Sequence, residues 1–197
     1  MQKTIFHTPV ISHAMHYIAR GVLFVLGWTV QANPQDVPKY VVIAAPHTSN
    51  WDFFYTMLLA FALKLQVYAM GKKSLTEGTF GPVMLWFGII PIDRSKSNNV
   101  VEQTIAEFGR HDKLVIVIPP SGTRNKVRYW KTGFYHIAHG AGVPIALGFI
   151  DYKRKCGGIG PFITTSGDID HDMVKIKAFY ADITGKIPEN QIDFKAS

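Results

Sequence analysis

Cysteine is almost missing from this chain: of 197 residues only Cys156 carries a thiol, which excludes an intramolecular disulfide framework and a four-cysteine zinc site. Such usage fits a reducing compartment. Acidic residues are also scarce, fourteen against twenty-one Lys and Arg, which leaves a formal charge of +7 with His neutral. An excess of that size points to an anionic partner, whether lipid headgroups, nucleic acid or a phosphorylated or CoA-bearing small molecule. Long apolar runs are lacking too. Gly21-Val22-Leu23-Phe24-Val25-Leu26-Gly27-Trp28 falls well short of the roughly 20 residues needed to span a bilayer. It is not a convincing signal-peptide core either, because Arg20 and three histidines precede it and no small-x-small cleavage site follows. There is no internal repeat and no linker-like stretch. Charged residues make up only 18% of the chain and hydrophobic ones 47%, so a chain of this length has the material for one core and is not disordered.

What is present is periodic. His13, His16 and Arg20 fall on one face of a helix, and Ile11, Met15, Ile18, Val22 and Val25 on another. Residues 1–33 therefore read as an amphipathic helix that either packs on the protein's own core or lies in a membrane interface. After the turn signal Asn33-Pro34, short β-type runs alternate with helical segments. The spacing predicts strands at 40–45, 66–69, 89–92, 114–118 and 145–150, and helices at 51–63, 80–87, 100–108 and 132–139. Asn99 followed by Glu102 supplies a start signal for the third helix. Stretches 157–160 and 164–168 read as loops. The pattern predicts an α/β fold: a single domain over residues 34–185 with a mostly parallel central sheet flanked by helices, preceded by the N-terminal helix and followed by a loosely held tail at 186–197.

Four strand ends carry chemistry. Ala45-Pro46-His47-Thr48-Ser49-Asn50-Trp51-Asp52 lies where a buried strand passes into a helix, the position at which open α/β sheets hold ligands. Histidine is the side chain suited to take a proton from a hydroxyl near neutral pH, and a carboxylate four intervening residues later can fold back to orient its ring. The same residues also read as a helix start capped by Ser49 or Asn50, with His47 a loop histidine. Pro120-Ser121-Gly122-Thr123-Arg124 follows the strand at 114–118 and combines close backbone approach, a hydroxyl and a guanidinium fork suited to phosphate; it reads alternatively as a solvated turn. Ser121 lacks the Gly-x-Ser-x-Gly elbow of a hydrolase nucleophile. Gly88-Ile89-Ile90-Pro91-Ile92-Asp93-Arg94 ends in a charged pair, and Lys72 and Lys73 follow the strand at 66–69. His47, Lys72, Lys73, Arg94 and Arg124 thus converge on one expected rim.

Taken together, residues 40 to 150 resemble the glycerolipid acyltransferase family, whose familiar members are the 1-acyl-glycerol-3-phosphate acyltransferases. His47 to Asp52 matches the family's His-x4-Asp block, Gly88 to Arg94 its second block, Ser121-Gly122-Thr123-Arg124 its Glu-Gly-Thr-Arg block, and Val143-Pro144-Ile145 its fourth. The Pro-His-Thr-Ser-Asn-Trp-Asp form of the first block resembles a small bacterial-type branch. The resemblance implies transfer of an acyl group from acyl-CoA or acyl carrier protein to a lysophospholipid hydroxyl, with His47 and Asp52 as catalytic pair. Lys72, Lys73, Arg94, Ser121, Gly122, Thr123 and Arg124 would form the acceptor site. It implies no cofactor, no metal, and a peripheral or monotopic place on the cytoplasmic face of a membrane with an anionic surface as partner. Ser121 departs from the family's glutamate, which implies lower activity on a glycerol-phosphate acceptor.

Other readings stay open: a phospholipid transacylase, an enzyme for another lysolipid, or a catalytically silent lipid-binding protein. A nucleic-acid binder fits the charge alone, since no helix-turn-helix, zinc, RNP or KH signature is present. His136 and His139 have helical spacing but no third ligand at metal spacing, and Cys156 has no local histidine partner.

Overall fold

The structure is a computed structural model that describes residues 4–33, 36–92 and 97–195. Lys39-Tyr40-Val41-Val42-Ile43-Ala44-Ala45, an apolar run rich in β-branched residues, forms the central strand β2 (Lys39–Ala45). A strand buried on both faces has this composition. It pairs in parallel with β5 (Leu114–Ile118) on one side and β6 (Ile145–Asp151) on the other, with Val41 opposite both Ile116 and Ile145. β3 (Val67–Lys72) and β4 (Ile89–Ile92) continue the parallel sheet beyond β5. Beyond β6 lies β7 (Cys156–Ile163), the one antiparallel neighbour among the described pairs, followed by β1 (Thr29–Ala32). The order is β1-β7-β6-β2-β5-β3-β4.

Alternation along β2 sorts the two faces. Val41 and Ile43, with Ile116 and Leu147, pack on Phe108 of α5 (Ser97–Arg110), Phe134 and Ile137 of α6 (Gly133–Ala141), and Ile176 of α7 (Ile169–Tyr180). Val42, Val115 and Ala146 face the other way, onto Leu23 of α1 (Pro9–Val25) and Leu58 and Phe61 of α2 (Trp51–Ala62). The short helices α3 (Ser74–Glu77) and α4 (Gly81–Trp86) connect β3 to β4. This is a mostly parallel sheet between two helical layers, as the alternation of elements predicted, and the C-terminal ends of β2, β3, β4, β5 and β6 share one rim.

Several local expectations change. Residues 157–160 form β7 rather than a loop. Their glycines are there because backbones close in: a Cβ on Gly158, at φ +150°, would overlap the Gln31 carbonyl of β1, and one on Gly160 would sit 2.5 Å from the Phe179 ring. α7 was not expected. Its start is set by Asp168, whose carboxylate accepts the His171 N–H, and its inward face by Met173, Ile176 and Tyr180. Asn99 lies within α5 (Ser97–Arg110) instead of capping it. α1 buries a narrow stripe, Ala19 and Leu23, with the His16 ring placing Nδ1 3.1 Å from the Phe61 carbonyl. Ile11, Ile18 and Val25, on the apolar face that could pack on the core or meet a membrane interface, are exposed together with Val10, Tyr17 and Phe24. The stretch after Gly185 is not loose over its described part. Gly185 donates its N–H to Gln191, Gln191 donates to the Ile183 carbonyl, and Phe194 packs edge-on against Trp130.

Candidate active site

β2 ends at Ala45, and the chain turns through Pro46-His47-Thr48-Ser49-Asn50 before α2 begins at Trp51. Asn50 makes no capping bond, while the Ser49 hydroxyl accepts the Trp51 N–H at 3.3 Å. Asp52, in the first turn of α2, reaches back: its Oδ2 accepts the N–H groups of Thr48 at 2.7 Å and Ser49 at 2.9 Å. That closes the turn on itself and leaves the same oxygen 3.4 Å from His47 Nδ1. Asp52 is 3% exposed and His47 20%, so the carboxylate is sealed beneath a ring that remains accessible. Burial pushes the Asp52 carboxyl up, but the bonds from His47, Ser49, Tyr152 and Thr48 outweigh it and hold the carboxyl below its usual range. A carboxylate fixed on Nδ1 leaves Nε2 as the ring nitrogen for proton transfer, the arrangement of the base in a hydrolytic triad.

His47 stands between two spaces. Beneath it a cavity of about 60 Å³ runs along the inner side of α2, lined by Ala44, Leu59, Val117 and Ile150 and reaching Leu63 and Val67 at the far end of the helix. On its other side is a recess of about 20 Å³ bounded by Thr48, Ser121, Trp130 and Gln191. The sheet therefore brings together two blocks far apart in sequence, His47 and Ser121. Gly122, at φ +66°, makes the tight turn after β5 and donates its N–H to the Pro119 carbonyl. Ser121 donates its hydroxyl to the Thr123 carbonyl at 2.7 Å, and Thr123 accepts the Asn125 N–H. Arg124 lies exposed on the rim.

Of the other cations expected on the rim, Lys73 is the one whose side chain is described. Lys73 is exposed and sits 3.4 Å from Glu77 one helical turn on. Lys72 closes β3, but its side chain is not among those described, and Arg94 lies outside the described residues. His139 is held at 3.1 Å from the Thr165 hydroxyl and stacks on Tyr135.

Two residues of the site escaped the sequence reading. Tyr152, directly after β6, donates its hydroxyl to Asp52 Oδ1 at 2.8 Å. Lys186 holds its Nζ 5.6 Å from the centre of the Trp51 ring and 5.5 Å from that of Tyr152. A usable signal existed for Tyr152: it is a polar aromatic at the end of a predicted parallel strand, hence on the rim already identified.

A model of the acyltransferase family matches residues 29–146, more than half of the chain. The chain belongs to the acyltransferase family. Curated 1-acyl-sn-glycerol-3-phosphate acyltransferases of Haemophilus influenzae and Escherichia coli K12 are each 33% identical to it over 121 residues. Those matches take in 57% of this chain but 49% and 48% of the two relatives, so the chain spans about half the length of the curated relatives it matches. The crystal structure of the 1-acyl-sn-glycerophosphate (LPA) acyltransferase from Thermotoga maritima superposes with a TM-score of 0.58 over 86% of this chain and 78% of that one. At 14% identity this likeness shows the shared fold. The matched family region contains His47, Asp52 and the Ser121–Arg124 loop; Tyr152 and Lys186 lie beyond it.

Proposed function

We propose that this acyltransferase-family chain moves a fatty acyl group from an acyl thioester, acyl-CoA or acyl carrier protein, to the hydroxyl of a lysophospholipid such as 1-acyl-glycerol-3-phosphate. The observation that carries the reading is the His47–Asp52 pair at the mouth of an apolar cavity on the C-terminal rim of the sheet. His47 Nε2 takes the acceptor hydroxyl proton as the oxygen attacks the thioester carbonyl. The tetrahedral intermediate then expels the thiolate, which receives that proton from the imidazolium. Asp52 stays ionised throughout and stabilises the imidazolium, and general-base assistance of this kind is worth about 10² to 10⁴ in rate.

The cavity under α2 is the natural place for the apolar end of a substrate, and the recess toward Ser121 for its polar end. Arg124, on the loop that follows β5, is assigned the acceptor phosphate, with Lys72 and Lys73 at and just after the end of β3 and, from its place in the family's second block, Arg94. The N–H groups of Thr48, Ser49 and Gly122 are already bonded to Asp52 and Pro119. They are therefore not assigned to the oxyanion. Nothing in the step calls for a metal or cofactor.

Substrates of this kind partition into bilayers, and α1 exposes Val10, Tyr17, Phe24 and Val25 by 70–83%, beside exposed His13 and Arg20. Trp51, Phe53 and Phe54 continue exposed apolar surface at the start of α2, next to the dyad. Among the described residues no helix is long and apolar enough to cross a membrane. The reading is therefore interfacial docking through α1 and the start of α2. Thiol release from acyl-CoA, measured against a panel of lysolipids in mixed micelles, tests the function. His47→Ala should abolish it with the fold intact, and full activity in that variant would overturn the assignment.

A further inference from the structure

Asp52 can orient His47 only if the carboxylate is itself held. Thr48 and Ser49 fix one oxygen, Oδ2, from within the same turn. The other oxygen is met by a residue a hundred positions away. Tyr152 donates to Oδ1 at 2.8 Å, closing the remaining rotational freedom of a carboxylate that is 3% exposed. We propose that Tyr152 is the positioning residue of the dyad, setting the plane of the Asp52 carboxylate and so the direction of its bond to His47. This rests on the reading of His47 as the base.

The placement of Tyr152 is overdetermined. Its own N–H bonds the Thr184 carbonyl at 2.9 Å. The turn that carries it is closed by the buried Asp151 carboxylate, which accepts the N–H groups of Lys153 and Arg154. The Arg154 guanidinium adds bonds to Asp151 at 2.8 Å and to the Asp182 carbonyl at 2.7 Å. The ring stands edge-on to Trp28 at 5.3 Å and to Tyr55 at 5.5 Å. A phenol locked from three sides is a rigid donor, the property needed to orient a partner that in turn orients a reacting group. Burial and the adjacent Asp52 charge push the Tyr152 hydroxyl far above its ordinary range. It therefore keeps its proton across the working pH range and serves as a fixed donor, with no part in the proton transfer itself.

The same contact has a topological consequence. Asp52 and His47 belong to the β2–α2 connection, whereas Tyr152 belongs to the β6–β7 turn and is tied to the segment around Thr184. Dyad geometry thus depends on parts of the chain outside the matched family region.

Tyr152→Phe removes the hydroxyl and leaves the ring in its aromatic nest. With acyl-CoA and lysophosphatidate as probes, kcat should fall about tenfold to a hundredfold, the range for groups that orient a working ligand from behind. KM for both substrates should stay within about twofold. Tyr55→Phe, which alters the same aromatic cluster without touching Asp52, should retain parental kcat. A readout independent of turnover is the His47 Nδ1–H resonance in histidine-labelled protein, identified by its loss in His47→Ala. Tyr152→Phe should shift or broaden it. Placing 3-fluorotyrosine at position 152 preserves ring and hydroxyl, and should restore both the resonance and most of kcat even if the phenylalanine variant folds poorly. An unchanged resonance, or a loss of activity carried by KM with kcat intact, overturns the positioning role. Full activity in His47→Ala would instead remove the base assignment, and the resonance would still decide whether Tyr152 sets the Asp52–His47 contact.

Discussion

Asp52→Asn separates a catalytic carboxylate from a helix-capping one. Asparagine is nearly isosteric, and two N–H groups point at Oδ2, from Thr48 at 2.7 Å and Ser49 at 2.9 Å. The amide oxygen must therefore take that place, which puts the NH₂ group at the Oδ1 position. There it meets the Tyr152 hydroxyl, which can reverse its role and accept. The turn stays closed, and what disappears is the negative charge 3.4 Å from His47 Nδ1. Weakening charge-assisted bonds at a buried site costs about 1–3 kcal/mol, which for a chain of this size lowers Tm by roughly 2–12 °C. Removing the charge that stabilises the imidazolium costs about 10² to 10⁴ in kcat, or roughly 3–5 kcal/mol of transition-state stabilisation. Thiol release at saturating acyl-CoA, recorded well below the variant's own Tm, reads the second effect apart from the first. A variant that loses stability as stated but keeps more than a third of kcat would refute the catalytic role and leave Asp52 as the group that closes the turn.

Three further outcomes are expected. Arg124→Ala should raise KM for lysophosphatidate about tenfold or more with little change in kcat, since an exposed guanidinium that binds the acceptor phosphate contributes orientation and affinity; an unchanged KM removes that assignment. Phe24→Glu with Val25→Glu, on the exposed face of α1, should abolish flotation with anionic liposomes while Tm stays within a few degrees, and unaltered flotation would remove α1 as the docking face. Acid unfolding should depend on Asp172. Burial raises this carboxyl, but bonds from Ser166 and Tyr135 outweigh burial and hold it below its usual range. A depressed folded value contributes stability that is present above the unfolded pKa of about 4 and lost as pH falls through the folded value. Urea titrations from pH 7 down to 3 should therefore show a shallower decline for Asp172→Asn than for the parent, and equal slopes would contradict the sign.

What was legible in the sequence was local. The His47-x4-Asp52 spacing lies within one strand-to-helix turn, so the chain itself guarantees that the two side chains can meet. The strands at 89–92 and 114–118 are found where their apolar runs predict; in β5 burial of Leu114, Val115 and Ile116 accounts for the continuous run, whereas β4, at the sheet edge, buries only Ile92 of its four residues. β1 left no such signature: its four residues are all exposed at the sheet edge. β7 was hidden by glycines that serve close backbone approach, although the same residues in isolation suggest a loop. In α7 the spacing of Ile169, Met173, Ile176 and Tyr180 carried a helical period that five flanking polar and glycine residues at 164–168 obscured.

The family resemblance favoured His47–Asp52 as a pair, which local pattern left open beside a capped helix start; composition and local pattern by themselves determined an α/β domain with one core and a rim of strand ends. Periodicity and short-range chain geometry suffice for that. Tertiary structure alone decided which partners complete the site. Ser121 comes beside His47 because β5 and β2 are parallel neighbours. Tyr152 reaches Asp52 because β6 flanks β2 on its other side, with Phe149 in register with Ala45, the last residue of β2, and Tyr152 three residues beyond Phe149. The segment after Gly185 donates the Ile187 N–H to the Thr48 hydroxyl because α7 returns the chain to the same rim. Such contacts join residues 74 to 139 positions apart, a separation over which sequence spacing carries no geometric information and only the strand order of the sheet does.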